Sequence, residues 1–236
     1  MLMISGTITY SDLLKNKQSY DWRKDLAPVY QLNRTTGILM VNPALPVRTV
    51  AEYIAYGKAN PGKINYATVG TGGIVHLIAE LMHSQMGIKV TYVPYKGYGP
   101  ITTALVSGDV QAAHPTYKAF QAFITSGKVR PIALTAANAR LPQLPNLRSI
   151  AEEGVPEFDN FSWVGIFMPS GTPVPVINRM NAEFNKARQN PDVVQKLTDL
   201  GETPGGGSPE EYRRFLLNTS ERLAKIIKDT GIELEE

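Results

Sequence analysis

Ile64-Asn65-Tyr66-Ala67 runs into Val69-Gly70-Thr71-Gly72-Gly73, and the chain continues as Ile74-Val75-His76-Leu77-Ile78-Ala79-Glu80-Leu81-Met82. The first stretch predicts a strand, the glycines a tight turn, and Val75, Ile78, Ala79 and Met82 the apolar face of a helix. Working outward, the same unit recurs. Val90 to Val93 predicts a strand, with a helix opened by Gly99-Pro100 after it. Asp109 to Ala113 is strand-like, Thr116 to Ser126 predicts a helix closed by Gly127, and Val129 to Leu134 predicts another strand. Short strands alternating with helices of ten to fifteen residues are the pattern of a parallel, doubly wound α/β sheet.

Upstream, Leu2-Met3-Ile4 reads as a buried strand entering the polar loop Ser5-Gly6-Thr7. Ala27 to Leu32 and Gly37 to Asn42 predict two more strands. Thr49 is placed to cap a helix, with Glu52 completing a capping box, and Asn60-Pro61-Gly62 ends it. Downstream, Phe161 to Met168 predicts an apolar strand. Three helical stretches follow near 173–189, 191–200 and 208–229, the last opened by Ser208-Pro209.

Composition narrows the functional classes. Apolar residues make up 43% of 236, enough for a buried core, and no apolar run is long enough to span a bilayer. Lys and Arg number 24 against 21 Asp and Glu, scattered rather than clustered, which argues against a nucleic-acid partner. There is no cysteine, so disulfides, thiolate metal sites and a cysteine nucleophile are excluded. The start, Met1-Leu2-Met3-Ile4-Ser5-Gly6, lacks the basic and long apolar segments of a signal peptide.

Two loops are candidates for chemistry. At Gly70-Thr71-Gly72-Gly73 the glycines leave backbone amides free at a helix N-terminus, a ready place for a carboxylate or phosphate. No Lys-Ser/Thr pair follows, so it is not a P-loop, and an ordinary tight turn accounts for the glycines equally well. Val93-Pro94-Tyr95-Lys96-Gly97-Tyr98-Gly99-Pro100 ends a strand, offers a cation, and precedes a second helix start. A solvated loop-tip lysine is the plainer reading of Lys96. His76 and His83, seven apart, are too distant along a helix to clamp one metal, and His114 stands alone, so all three read as core or surface histidines. Trp163 and Tyr66 read as core or interface aromatics, with walling a cleft as the alternative role for Trp163. There is no Gly-x-Ser-x-Gly elbow and no acid–base constellation, so catalysis has no support.

Several stretches together resemble the Bug-type receptors of tripartite tricarboxylate transporters. Leu39-Met40-Val41-Asn42-Pro43-Ala44-Leu45-Pro46 is similar to their VVNPSLP crossover, and Thr49 through Lys63 to the helix and turn after it. Gly70 to His76 resembles GxGSxxH, and Val93-Pro94-Tyr95-Lys96-Gly97 resembles VPYKG. Ala133-Leu134-Thr135, Leu144-Pro145, Pro169-Ser170-Gly171-Thr172-Pro173 and Ser208-Pro209-Glu210-Glu211-Tyr212 follow in the family's order.

The resemblance implies a type II periplasmic-binding-protein-like α/β fold, two doubly wound lobes joined by two crossing strands near Asn42 and Trp163. Residues 43–164 would form one lobe, and 1–42 with 165–236 the other, incomplete one. It implies a periplasmic receptor that binds a small organic acid, delivers it to membrane transporter subunits, and uses no cofactor or metal. Thr71, Gly72, Gly73 and Ile74 would form one ligand loop. Lys96, Gly97 and Tyr98 would border a second, with Thr116 at a third and Ser5, Gly6 and Thr7 answering from the other lobe. The chain departs from the family in three ways. The leading strand and its PFxxGG loop are absent, Gly73 stands where Ser is common, and His114-Pro115 occupies the place of an acidic residue in many relatives. An uncovered lobe implies self-association, a partner chain or weak binding. A sensor module signalling to a kinase, and a remnant that binds nothing, are the competing functions.

Overall fold

A computed structural model describes residues 1–13, 19–71 and 73–230. In chain order, β1 (Leu2–Ser5) leads into a 3-10 segment, Gly6–Leu13, followed by α1 (Trp22–Asp25), β2 (Leu26–Thr36) and β3 (Ile38–Val41). Next come α2 (Val50–Ala59), β4 (Asn65–Val69), α3 (Ile74–Met86), β5 (Thr91–Tyr95) and α4 (Tyr98–Ser107). Then β6 (Ala112–Ala113), α5 (Tyr117–Thr125), β7 (Arg130–Leu134) and β8 (Phe161–Pro169) lead to α6 (Val174–Ala187), α7 (Pro191–Asp199), β9 (Glu202–Gly206) and α8 (Pro209–Thr230).

The chain forms two compact units, Thr36–Phe161 and the combination of Met1–Thr35 with Ser162–Glu236. It leaves the second of these within the run from β2 to β3, and returns to it at the start of β8.

The unit Thr36–Phe161 is built on a five-stranded sheet in the order β5-β4-β6-β3-β7. β4 is parallel to both β5 and β6, whereas β3 runs antiparallel to β6 and β7. The doubly wound pattern therefore surrounds β4, with β3 inserted against the grain. All four residues of β3 are buried, because both faces of the sheet are covered. Leu39 and Val41 join the core beneath α2 and α3, with Tyr53, Tyr66, Ala79 and Met82. Ile38 and Met40 join the opposite core beneath α4 and α5, with Ile101, Leu105 and Phe120. The chain steps from β4 outward to β5 and then back across β4 to β6, so β4 and β6 flank a topological switch point.

Local chemistry fixes the helix ends. Thr49 Oγ1 accepts from the Glu52 amide, and α3 stops at Gly87 with φ 65°. The Glu52 carboxylate reaches the amide of Arg48 rather than that of Thr49, so the capping box closes one residue earlier than its sequence pattern implies.

The other unit carries a four-stranded sheet, β1-β8-β2-β9, in which β1 pairs antiparallel with β8, and β9 with β2. Val29, Tyr30, Ile166 and Met168 pack beneath Ile177, Met180 and Phe184 of α6. On the opposite face, Trp163 and Phe167 meet Tyr212 of α8 edge-on and tilted. β1 corrects one expectation: it is a strand, but at the sheet edge, with Leu2 46% and Met3 70% exposed rather than buried. β9 lies between the helices expected near 191–200 and 208–229, in a stretch to which the sequence reading assigns no element. Its Pro204 and glycines suit an edge strand, and Gly205 is required because a side-chain carbon there would overlap the Gln31 carbonyl. No described helix is long and apolar enough to cross a membrane.

Candidate functional site

Because β4, β5 and β6 are parallel neighbours, the loops leaving them meet at one edge of the sheet. The ladder extends into these loops, since the Gly70 amide donates to the Tyr95 carbonyl at 3.0 Å. β3 begins at the same edge: Gly37 bridges Thr116, and the Ile38 amide donates to the Pro115 carbonyl at 2.8 Å. Thr135, at the end of β7, accepts from the Gly37 amide through Oγ1 at 2.8 Å. Ligand sites of open α/β sheets lie outside the carboxyl ends of the strands, at such a switch point.

Three helices start at this edge, and they share a feature. The N-cap residues are Gly73 for α3, Gly97 for α4 and Thr116 for α5, and none supplies a side-chain cap. Elsewhere Asp21, Thr49, Asn190 and Ser208 each accept a hydrogen bond from the first turn of the helix they cap. The remaining helix without a side-chain cap, α6, starts at Pro173 with a second proline in its first turn, which has fewer amides to satisfy. The amides of α3, α4 and α5 are thus left to water or an anion, and the helix dipoles favour negative charge there. Lys96 is exposed, Thr71 is exposed, and Gly73, Ile74, Gly97, Tyr98 and Thr116 are half-buried. One cation and three hydroxyls, those of Thr71, Tyr98 and Thr116, therefore accompany the free amides.

The residues named from the sequence divide into two sets. Thr71, Gly73, Ile74, Lys96, Gly97, Tyr98 and Thr116 all fall on this edge of the sheet in the unit Thr36–Phe161. Ser5 and Thr7 belong to the other unit, where their hydroxyls share a hydrogen bond of 3.0 Å. Gly72 lies outside the described residues. Trp163 is 4% exposed and packed edge-on against Tyr212 and Phe215, a core position.

Beneath the edge lies a polar cluster that sequence reasoning missed. Tyr53 Oη and His83 Nε2 share a hydrogen bond of 3.0 Å, and His83 Nδ1 shares another of 3.0 Å with Tyr92 Oη. Tyr66 Oη and His114 Nδ1 are 2.7 Å apart. The Tyr66 ring stacks on His114 and meets His83 edge-on at 4.6 Å. Desolvation holds both imidazoles neutral, lowering His83 to about 3, with further repulsion from His114, and His114 to about 4. His76 meets the Tyr92 ring of this cluster edge-on at 4.6 Å, and its Nε2 lies 3.5 Å from Glu80 one turn along α3. Neither spacing nor composition signals the pairing, because α2, α3, β4, β5 and the end of β6 each contribute one member.

A family model described as the tripartite tricarboxylate transporter family receptor matches residues 1–232. The chain belongs to that family. Among curated relatives, a UPF0065 protein encoded between tcbD and tcbE in Pseudomonas sp. strain P51 is 34% identical over 209 residues, 88% of this chain and 62% of its own length. BugT of Bordetella pertussis is 32% identical over 216 residues, 92% of this chain and 66% of its own. The chain thus spans slightly under two thirds of the length of these relatives. Among solved structures, Rpa4515 of R. palustris with adipate superposes with a TM-score of 0.84 at 31% identity, covering 99% of this chain and 78% of that one. MatC of Rhodopseudomonas palustris with bound malate gives 0.76 at 27%, covering 95% and 78%. The α/β fold with two sheets is that of periplasmic binding proteins.

Proposed function

We propose that this chain is a periplasmic receptor for a small organic carboxylate, which it delivers to the membrane subunits of a tripartite tricarboxylate-type transporter. The observation that carries this reading is the set of three helix starts, α3, α4 and α5, without side-chain caps at one sheet edge. Each offers backbone donors and a partial positive charge to a carboxylate, for about 0.3–1 kcal/mol per helix at an exposed site. Lys96 adds a full charge, and Thr71, Tyr98 and Thr116 add hydroxyls; Gly72, Gly73, Ile74 and Gly97 contribute backbone. Ser5 and Thr7 supply further hydroxyls in this reading. The acids named with two structural relatives, adipate and malate, fit the same chemistry. A binding receptor needs no nucleophile or cofactor, and none of the proposed residues is assigned a catalytic role.

A thermal-shift screen over dicarboxylates, tricarboxylates, aromatic acids and their neutral amides tests the reading. A ligand that binds only the folded state at a hundredfold excess over its dissociation constant adds about 2.7 kcal/mol of stability. Acids should raise the melting temperature and their amides should not. No shift with any acid, or equal shifts with the amides, would sink the proposal.

Self-association of the 236-residue chain is supported by β1, an edge strand whose Leu2 and Met3 are exposed. Light scattering across a concentration series measures it, and a constant monomer mass would refute it.

A further inference from the structure

Residue 114 follows β6, and residues 114–116 lead into α5, one of the three helix starts at this sheet edge without a side-chain cap. Two tethers hold that loop. From the β3 side, the Ile38 amide donates to the Pro115 carbonyl and Gly37 bridges Thr116. From the β4 side, among the described residues, the loop is held by a single side-chain contact, the hydrogen bond of 2.7 Å between Tyr66 Oη and His114 Nδ1.

The two tethers differ in kind. The first is backbone pairing that any sequence could make, whereas the second requires these two side chains. Tyr66 is fully buried and His114 is 8% exposed, so neither is free to exchange this partner for water. Tyr66 also lies on the strand that feeds the Gly70–Gly73 turn. One hydrogen bond therefore connects the supports of two of the loops proposed to receive an acid. The groups around the pair are phenols and an imidazole, with His83 and Tyr92 in ring contact with Tyr66, and Tyr53 and Tyr98 in electrostatic reach.

Resting on the carboxylate reading above, we infer that the Tyr66–His114 hydrogen bond positions the Pro115–Thr116 backbone for ligand binding. His114 is a positioning residue, acting through the loop it starts. The alternative is that the pair merely fills the core, as Tyr53 and His83 do. Those two make a hydrogen bond of 3.0 Å in the same interior, but between α2 and α3, away from the 114–116 loop. Tyr53→Phe is therefore the control for Tyr66→Phe.

Two measurements on the full chain decide the matter. The first is hydrogen–deuterium exchange over residues 112–120. Tyr66→Phe should raise exchange there, and Tyr53→Phe should leave it at the wild-type rate. The second is calorimetric titration with adipate, with malate in parallel. Tyr66→Phe should weaken binding about tenfold, the effect of losing a hydrogen bond worth about 1.4 kcal/mol, while Tyr53→Phe stays within about twofold of wild type. Unchanged exchange in Tyr66→Phe overturns the inference whatever the wild type binds. Raised exchange with undiminished affinity overturns it too, because the loop would then be held without serving the ligand. If exchange rises selectively but the wild type binds neither acid, the loop tether stands, and it is the carboxylate reading that fails for these probes.

Discussion

Tyr212 on α8 presses its hydroxyl against the backbone of Gly165 on β8, so closely that a side-chain carbon at 165 would overlap it. The hydroxyl is buried and has no hydrogen-bond partner among the described residues. Gly165→Ala should cost several kcal/mol of unfolding free energy in urea titration, since backbone on one side and a buried ring on the other must move apart. Tyr212→Phe should run against the usual direction. It removes an unsatisfied polar atom, so stability should hold or rise by about 1 kcal/mol. A loss of 2 kcal/mol or more would show that the hydroxyl has a partner after all.

His83 and His114 set a pH dependence. An unfolded histidine takes a proton near pH 6.5, but in the folded chain His114 does so only at about 4 and His83 at about 3. Between those values the unfolded chain binds more protons, so stability is complete above pH 6.5 and declines as pH falls toward 4. For His114 the decline should total about 3 kcal/mol, at roughly 1.4 kcal/mol per pKa unit. Chemical denaturation at stepped pH should show that slope in the wild type. His114→Asn, which keeps an acceptor but cannot titrate, should flatten part of it.

Asn42 joins two elements through one amide. Its Nδ2 donates to the Leu105 carbonyl at 2.8 Å near the end of α4, and its Oδ1 accepts from the Ala44 amide at 2.9 Å. The residue is 8% exposed. Asn42→Leu keeps the volume and leaves a buried carbonyl and an amide without these partners, so it should destabilise by about 2–4 kcal/mol. Asn42→Asp keeps the acceptor alone and should also lose stability, through the donor. A shift in the denaturation midpoint for either variant measures it.

Gly97 and Gly99 look alike in sequence and should behave differently. Both have open space where a side-chain carbon would go, but Gly97 has φ 104° and Gly99 lies in the first turn of α4 at negative φ. Gly97→Ala should cost about 1–2 kcal/mol from backbone strain alone, and should weaken acid binding if the start of α4 serves the ligand. Gly99→Ala should be neutral or stabilising by up to about 1 kcal/mol. Thermal melts of the two variants, run together, make the comparison.

The sequence was most informative where apolar periodicity and turn residues agree. The strand–turn–helix at 64–82 and the helix capped by Thr49 were legible because each depends on neighbours a few positions apart. What depended on distant partners was not legible. β9 has the composition of a loop, and becomes a strand because β2 offers it an edge and glycine allows close approach. α1 and the Gly6–Leu13 turn are too short for a periodic pattern. β1 was expected inside on its apolar letters, yet its position at the sheet edge leaves Leu2 and Met3 exposed. At the candidate site, the glycine turn gave away the start of α3, while the Tyr66–His114 support arises only once β4 and β6 are side by side.

The bare helix starts of α3, α4 and α5 also bear on how the protein is handled. Amides that wait for an acid do not distinguish sharply between a nutrient and the sulfate, phosphate or citrate of a laboratory solution. On the carboxylate reading proposed above, such salts would act as competitors, raising the apparent melting temperature before any acid is added and hiding weak binding of the acid under test. Assays in chloride-only buffer at low ionic strength, after exhaustive dialysis, follow directly from that geometry.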